Sequence, residues 1–510
     1  YVENTICITG IKRRQRNRCG RSDTDPGRTD RSGHHIQRPA DFTGEFHIRK
    51  DHKRKLRYLK GEVTVYLTLV FALIMSLVTA LTESASIQMA KNYRRADMNR
   101  AMECVFAEYQ KELLEQYDLF GLEAGYETGS YSEENIKNRL AYYGADMDNQ
   151  IKRIELFTDN HGQAFIREVG KYMKHRYGVS WADQYLGNTS LWKHQEEQAG
   201  TFGREETLQK ETLESLLEEQ EAELPTEENP MAHVGVLKST PILNLVLPKD
   251  KQVSEKRIVL SDMPEKRQNQ TGYGSFEDVE NDGNTLSSVL MGEYALEHFG
   301  AFTEAAKGGA LDYELEYILG GKESDRENLE AVANRLVMLR FVPNYLYLQS
   351  SSAKQAEARA LAGTLCTLLA VPAITEAAAQ GILLAWAYGE SVMDVRTLFS
   401  GKKVTATKND ANWQLSLAGL MKLGTEEDGG ASSDMEGGNG YKEYLRILLF
   451  LEGKETMAVR SMGMIEKNMQ TLYGQPGFRM DYCVSRMEVE TVCRLRRNVQ
   501  YQFQTYYGYQ

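Results

Sequence analysis

Val63-Thr-Val-Tyr-Leu-Thr-Leu-Val-Phe-Ala-Leu-Ile-Met-Ser-Leu-Val-Thr-Ala-Leu81 is the stretch that organises this chain. It carries no charged side chain. At 1.5 Å per residue a helix of this length covers roughly the 30 Å hydrocarbon core of a bilayer. We read 63–82 as a transmembrane helix rather than a buried core helix. A secretory signal peptide fits poorly, because the apolar run is too long and Ser84-Ala-Ser86 is a weak cleavage site. Arg49, Lys50, Lys53, Arg54, Lys55, Arg57 and Lys60 crowd its N-terminal side. On the other side Glu83 comes first, and Lys91, Arg94 and Arg95 lie two or more turns further on. The positive-inside rule then puts the N-terminus in the cytoplasm and residues 85–510 outside. The expected localisation is the cell membrane, single-pass, with the bulk extracytoplasmic.

Charge divides the chain at the same place. Residues 1–60 carry about +9, and the total of −11 leaves about −20 for the rest. A basic head and an acidic body separated by an apolar segment point to two compartments. An acidic body repels phosphate backbones, so nucleic acid is not an expected partner. Hydrophobic residues at 41% suffice for sizeable cores. Six cysteines in 510 residues make no disulfide framework. Cys104 and Cys366 sit in apolar helical patterns and read as core residues. Between Cys483 and Cys493 no Gly, Pro or Asn turns the chain. As one strand it would hold the two about 33 Å apart, against the roughly 7 Å limit of a disulfide, so no bridge is expected.

No Gly or Pro occurs between Gly61 and Gly121. Beyond the membrane segment, Met98, Met102, Val105, Tyr109, Leu113, Tyr117 and Phe120 recur at steps of three and four, one face of a helix. The spacing predicts a single helix from the membrane to about residue 119, roughly 90 Å long. A lipid-embedded first half with an amphipathic second half is also the plan of pilins and pseudopilins. Lys60–Val70, Glu83–Gln88, Lys91–Met98, Ala107–Leu114, Glu115–Phe120, Leu311–Leu319, Asp325–Leu329, Ala385–Ser391 and Asp394–Arg396 together resemble an uncharacterised family of single-pass membrane proteins of clostridia-type Gram-positive bacteria. Genes of that family often stand beside those of the tight-adherence (Tad) pilus system. The resemblance covers about residues 59–510. It implies a role at the cell surface or in pilus assembly, and no catalytic residue comes with it. Type IV prepilins have Glu five residues after the cleaved Gly. Here Glu62 follows Gly61 directly and Tyr66 is the fifth residue, so prepilin processing at Gly61 is not expected.

Further along, Tyr131–Tyr143 reads as a helix opening near Ser132, Gln150–Thr158 as a strand or short helix, and Gln163–Arg176 as a helix. Thr207–Glu223 reads as an acidic helix with a solvated face. Half of the ten prolines fall between Pro225 and Pro264, marking a junction. Within it Ile242–Leu247 and Arg257–Leu260 read as short strands, and 267–284 as a loop. Helices are expected near 287–302, 326–341, 354–370, 373–398, 409–423, 441–452 and 454–473. The apolar pair at 360–387 is interrupted by Pro372, Glu376 and Gln380, so it reads as a buried hairpin rather than a second membrane span. Thr425–Asn439 reads as a disordered loop. Alternation in Tyr482–Arg494 and Tyr501–Tyr506 predicts antiparallel strands. The expected fold class is α+β and predominantly helical: a long N-terminal transmembrane and amphipathic helix, a mixed domain, then a helical domain with a small C-terminal antiparallel sheet. The expected divisions are a basic disordered head (1–46), a basic juxtamembrane segment (47–62), the transmembrane helix (63–82), a membrane-proximal helical domain (83–224), the Pro-containing junction (225–285) and a mainly helical domain with terminal strands (286–510).

Signatures of chemistry are sparse. Lys322, Lys402 and Lys454 each follow a Gly but lack the rest of a phosphate loop. There is no His-Glu-x-x-His, no His beyond His298 and no Gly-x-Ser-x-Gly, so no cofactor or metal site is expected. Asp312, Glu314 and Glu316 alternate, and on a strand they would share one face able to hold an acid/base pair or a cation. Ion pairing or a solvated face is the commoner use of such a group. Glu390 and Asp394 would be neighbours on a helix, with Arg396 close by, and internal bonding is the expected role. Two readings follow. The leading one is a structural or assembly component of a Tad-type system, associating with other pilus or secretion-system membrane proteins through residues 63–120. The alternative is an anchored cell-surface hydrolase working through Asp312, Glu314 and Glu316.

Overall fold

A computed structural model describes residues 59–126, 128–178, 186–276, 284–368, 371–430 and 433–509. The basic head and residues 47–58 lie outside the described residues. Residues 81–510 form one compact unit, separate from residues 1–80.

Helix Leu59–Phe106 runs for 48 residues. Every side chain from Val63 to Thr82 is exposed, with Tyr66 and Leu73 each at 68%. A core helix would bury this stripe, so that reading is excluded. Among the described residues this is the one helix long and apolar enough to cross a membrane.

The same helix ends inside the folded unit. Met98, Ala101, Met102, Val105 and Phe106 are sealed from solvent and pack with Ile136, Leu140 and the sheet. Each of the Met, Val and Phe side chains contributes about 1.5–3 kcal/mol of burial. The helix stops at Phe106, not near 119. The Gln110 amide donates to the Gly121 carbonyl at 2.9 Å, and Tyr109 meets Phe120 edge-on at 5.1 Å, closing a loop around a second helix, Lys111–Tyr117. The reason is a split stripe. Met98–Phe106 serve the core under the sheet, whereas Leu113 and Tyr117 serve the large helical core. The break lets one apolar stripe feed both.

Four strands form one antiparallel sheet: β1 (Leu122–Glu123), β2 (Asp148–Leu156), β3 (Cys483–Arg494) and β4 (Gln500–Gly508). The terminal strands thus form as their alternation predicts, and the ambiguous 150–158 segment resolves as a strand. β3 is central. Arg486–Val492 pair with β2 on one side and β4 on the other, and Val484 pairs with Leu156 and Leu122. β1 and β4 therefore share one edge of β3, end to end. Cys483 and Cys493 stand near opposite ends of β3 and are free, as are Cys104 and Cys366.

The rest is helical. Helices Glu133–Tyr142, Asp159–Tyr177 and Thr189–Glu219 precede the proline-rich stretch. That stretch contributes Val234, Leu237, Ile242, Leu243, Leu245 and Val246 to the same core as residues on either side of it. Pro230 opens helix Pro230–Ser239, where Asn229 caps by accepting from the Met231 amide. Ile242–Val246 is a short helix, not a strand: the run is buried among helices, where helical backbone satisfies its own amides. Arg257–Leu260 makes only a single bridge, Arg257 to Ser324. Helices Asn284–His298, Asp325–Ser350, Tyr441–Glu452 and Lys454–Thr471 follow expectation. Within 409–423 only Leu417–Leu420 is helical, because Lys408, Gln414 and Leu415 are pulled down onto a buried carboxylate pair. Ser352–Leu368 and Thr375–Phe399 form the hairpin, and from Ile382 onward the second helix is almost wholly buried.

Candidate functional site

Helix Thr375–Phe399 places Glu390 and Asp394 one turn apart. Helix Asp325–Ser350, started by a Ser324/Glu327 capping box, places Arg340 and Asn344 one turn apart opposite them. The loop after Phe399 delivers Lys408. Its Nζ lies 2.5 Å from Glu390 Oε1 and 2.7 Å from Asp394 Oδ1, with all three side chains at 0% exposure. Arg340 Nε donates to Asp394 Oδ2 at 3.0 Å, as does Asn344 Nδ2. Arg340 Nη1 also reaches the Tyr444 hydroxyl at 2.9 Å. Glu390 accepts the Gln414 and Leu415 amides at 2.9 and 2.8 Å. Burial pushes the Glu390 carboxyl above its ordinary value, against the pull of Lys408. Two acidic and two basic side chains thus face one another in a buried quartet.

Gln414 and Leu415, held by Glu390, line a cleft of about 740 Å³ together with Trp413, Asp428, Ser433 and Asp434 among others. Its outer wall is the 425–439 stretch. In place of a disordered loop, the described part is pinned. Arg396 donates to both oxygens of Asp428, at 2.9 and 2.7 Å, and Gln414 Oε1 accepts the Ser433 amide at 3.0 Å. Burial works to raise the Asp428 carboxyl, but Arg396 and the Gly424 and Gly430 amides outweigh it and hold it at about 2.

The three alternating carboxylates do not share the face of a strand. Glu314 and Glu316 open helix Glu314–Gly320, and Asp312 precedes it, so the strand geometry that would align them is absent. Asp312 pairs with Lys256 at 2.7 Å. Glu314 accepts the Gly300 amide at 2.9 Å and Asn468 Nδ2 at 2.5 Å. Glu316 accepts the Phe302 amide at 2.8 Å and the Tyr441 hydroxyl at 2.7 Å. Asp325 takes the Asp312 and Tyr313 amides, both at 3.0 Å. Together Glu314, Glu316 and Asp325 hold the 299–313 loop by its backbone. Burial raises all three, Glu316 to about 7.

A second cleft, of about 540 Å³, is lined by Asn160, His161, Glu265 and Glu455 among others. Asn160, His161 and Gly162 are consecutively left-handed, at φ 49°, 57° and 82°, a costly backbone for the first two. Asp159 anchors the turn by accepting the Leu156 amide at 2.7 Å and the Gly272 amide at 3.0 Å.

Sequence reasoning paired Glu390 with Asp394 and missed Lys408 and Arg340. Arg340 had a signal, a lone cation inside the apolar run Leu336–Val342, while Lys408 sits in a polar loop and had none. Among the described residues no group of His, Cys, Asp and Glu is arranged to hold a metal ion.

Residues 220–495, more than half of the chain, match a protein family described as a family of unknown function, DUF5702. The chain belongs to this family. The matched segment carries the ionic quartet, the 740 Å³ cleft and the 299–313 clamp. No curated protein and no solved structure matches the chain.

Proposed function

We propose that this protein is a membrane-anchored, extracytoplasmic structural or assembly component of a pilus-like surface system of the Tad type. One observation carries the reading: helix Leu59–Phe106 is bare and apolar over Val63–Thr82, yet its last turns are built into the core beneath the sheet. One continuous helix thus carries both an apolar stretch of membrane length and residues of the folded core. The cationic flank at 49–60 supports a single pass with the N-terminus cytoplasmic. The pilus context rests on the family resemblance of the sequence. The alternative, an anchored hydrolase working through Asp312, Glu314 and Glu316, has less support, because these carboxylates bond to backbone amides, Asn468, Tyr441 and Lys256.

A mild-detergent pull-down of the tagged full chain from its host, read by mass spectrometry, tests this. Pilus ATPase, platform or pilin subunits are expected to co-purify. They should be lost when residues 63–120 are replaced by an unrelated anchor. A preparation free of such partners, or normal pili in a deletion strain, would overturn the proposal.

A further inference from the structure

The two long edge strands of the sheet are treated differently. β2 is blunted in every usual way. It has register shifts at Ile151/Arg153 and Glu155/Leu156, it carries Lys152, Arg153 and Glu155, and Tyr273 bridges Ile154 along it. These are the devices that stop an edge from pairing with another chain. β4 has none of them. It pairs with β3 through nine consecutive residues, Gln500 to Gly508, without a shift. It contains no charged residue and no Pro. Among the described residues its pairing partner is β3 alone. Gln500, Gln502, Gln504 and Tyr506 are exposed, Tyr506 at 51%. A regular, uncharged edge of this length, unpaired among the described residues, is a template for strand addition.

We propose that β4 pairs antiparallel with β4 of a second copy of this chain, joining two sheets across a twofold axis at Gln504. A centre at Gln504 uses all nine residues. It sets Gln504 against the second copy's Gln504, Gln502 against its Tyr506, and Gln500 against its Gly508. A glutamine amide donates and accepts, so it is complementary to itself. No like charges meet anywhere along the strand, which is the usual obstacle to self-pairing. On the opposite face Phe503 and Thr505 are buried and Tyr501 is half-buried, which fixes which side chains point outward, and use of all nine residues selects Gln504 as the centre.

The experiment uses the full chain in mild detergent at tens of micromolar, with mass measured by light scattering. A dimer is expected. Gln504→Lys, at an exposed position, should weaken it about fivefold by setting like charges opposite each other. In a background with Cys7, Cys19 and Cys104 changed to Ser, Gln504→Cys should crosslink to itself under mild oxidation. Gln500→Cys should not, because it faces Gly508. A monomeric parent protein, a dimer indifferent to Gln504→Lys, or equal crosslinking at 500 and 504 would each overturn the proposal. Co-purification of a different protein that is released by Gln504→Lys, with no self-association, would also overturn it.

Discussion

Lys408 Nζ lies 2.5 Å from Glu390 Oε1 in a site with no solvent exposure on either side chain. The contact joins a loop to the middle of a core helix. Its energetic meaning is asymmetric. Two buried charges that meet contribute little net stability, but removing one strands the other. The Glu390 carboxylate also holds the Gln414 and Leu415 amides, so the contact bears on the lining of the 740 Å³ cleft as well as the core.

Lys408→Met should therefore cost about 3–5 kcal/mol, since Glu390 and Asp394 lose their shared cation. The double variant Lys408→Met/Glu390→Gln should recover part of that loss. Urea unfolding of both variants checks this. Equal stability of Lys408→Met and the parent would show that Lys408 does not hold Glu390 and Asp394 in place.

Glu316 gives a pH dependence. Its folded-state carboxyl is raised from 4.5 to about 7 by burial. The neutral form is thus favoured in the fold. This stabilisation is fully present below 4.5 and is lost as pH rises through 7, about 3 kcal/mol in all. Glu316→Gln should flatten the fall in urea midpoint between pH 5 and pH 8. A fall of the same size in Glu316→Gln would remove Glu316 as the cause.

Asp428 has the opposite sign. Its carboxyl is held at about 2, below the ordinary 3.8. Its contribution is present above 3.8 and disappears as pH falls through 2. Screening at the cleft rim limits it to about 1 kcal/mol at pH 7. Asp428→Asn should cost that much in stability and speed proteolytic nicking in 425–439. Unchanged nicking kinetics would mean that Arg396 does not hold the loop.

The membrane segment can be tested with one charge. Leu73→Arg places a cation in the middle of Val63–Leu81, at a cost of about 2.5–3.5 kcal/mol on the insertion scale. Carbonate extraction should then release more of the protein, while Lys91→Ala, outside the span, should leave extraction unchanged. Full retention of Leu73→Arg in the membrane pellet would argue against a transmembrane position for this residue.

Much of the architecture was readable from local pattern. An uncharged run of membrane length, a 3.6-residue stripe and a twofold alternation are properties of neighbouring residues, and so they survive without a fold to consult. The membrane-spanning candidate, the helical body, the helical hairpin, of which only the second helix is buried, and strands β3 and β4 belong to this class. The Cys483–Cys493 spacing likewise argued correctly against a bridge, because strand geometry alone sets the separation.

What lay beyond the sequence depended on contacts distant along the chain. The stripe from Met98 to Phe120 looks continuous, and only the presence of two cores decides that the helix must break after Phe106. Ile242–Val246 is apolar enough for either secondary structure, and packing among helices, with no strand beside it, made it helical. Asp312, Glu314 and Glu316 alternate as strand residues would, yet the 299–313 loop needs its amides satisfied, and a helix start with buried carboxylates does this. The chain alone determined the class of fold and a helix long and apolar enough to cross a membrane. Tertiary structure decided which charges meet, because Lys408, Arg340, Glu390 and Asp394 come together only when two helices and a loop from three parts of the chain enclose the same buried space.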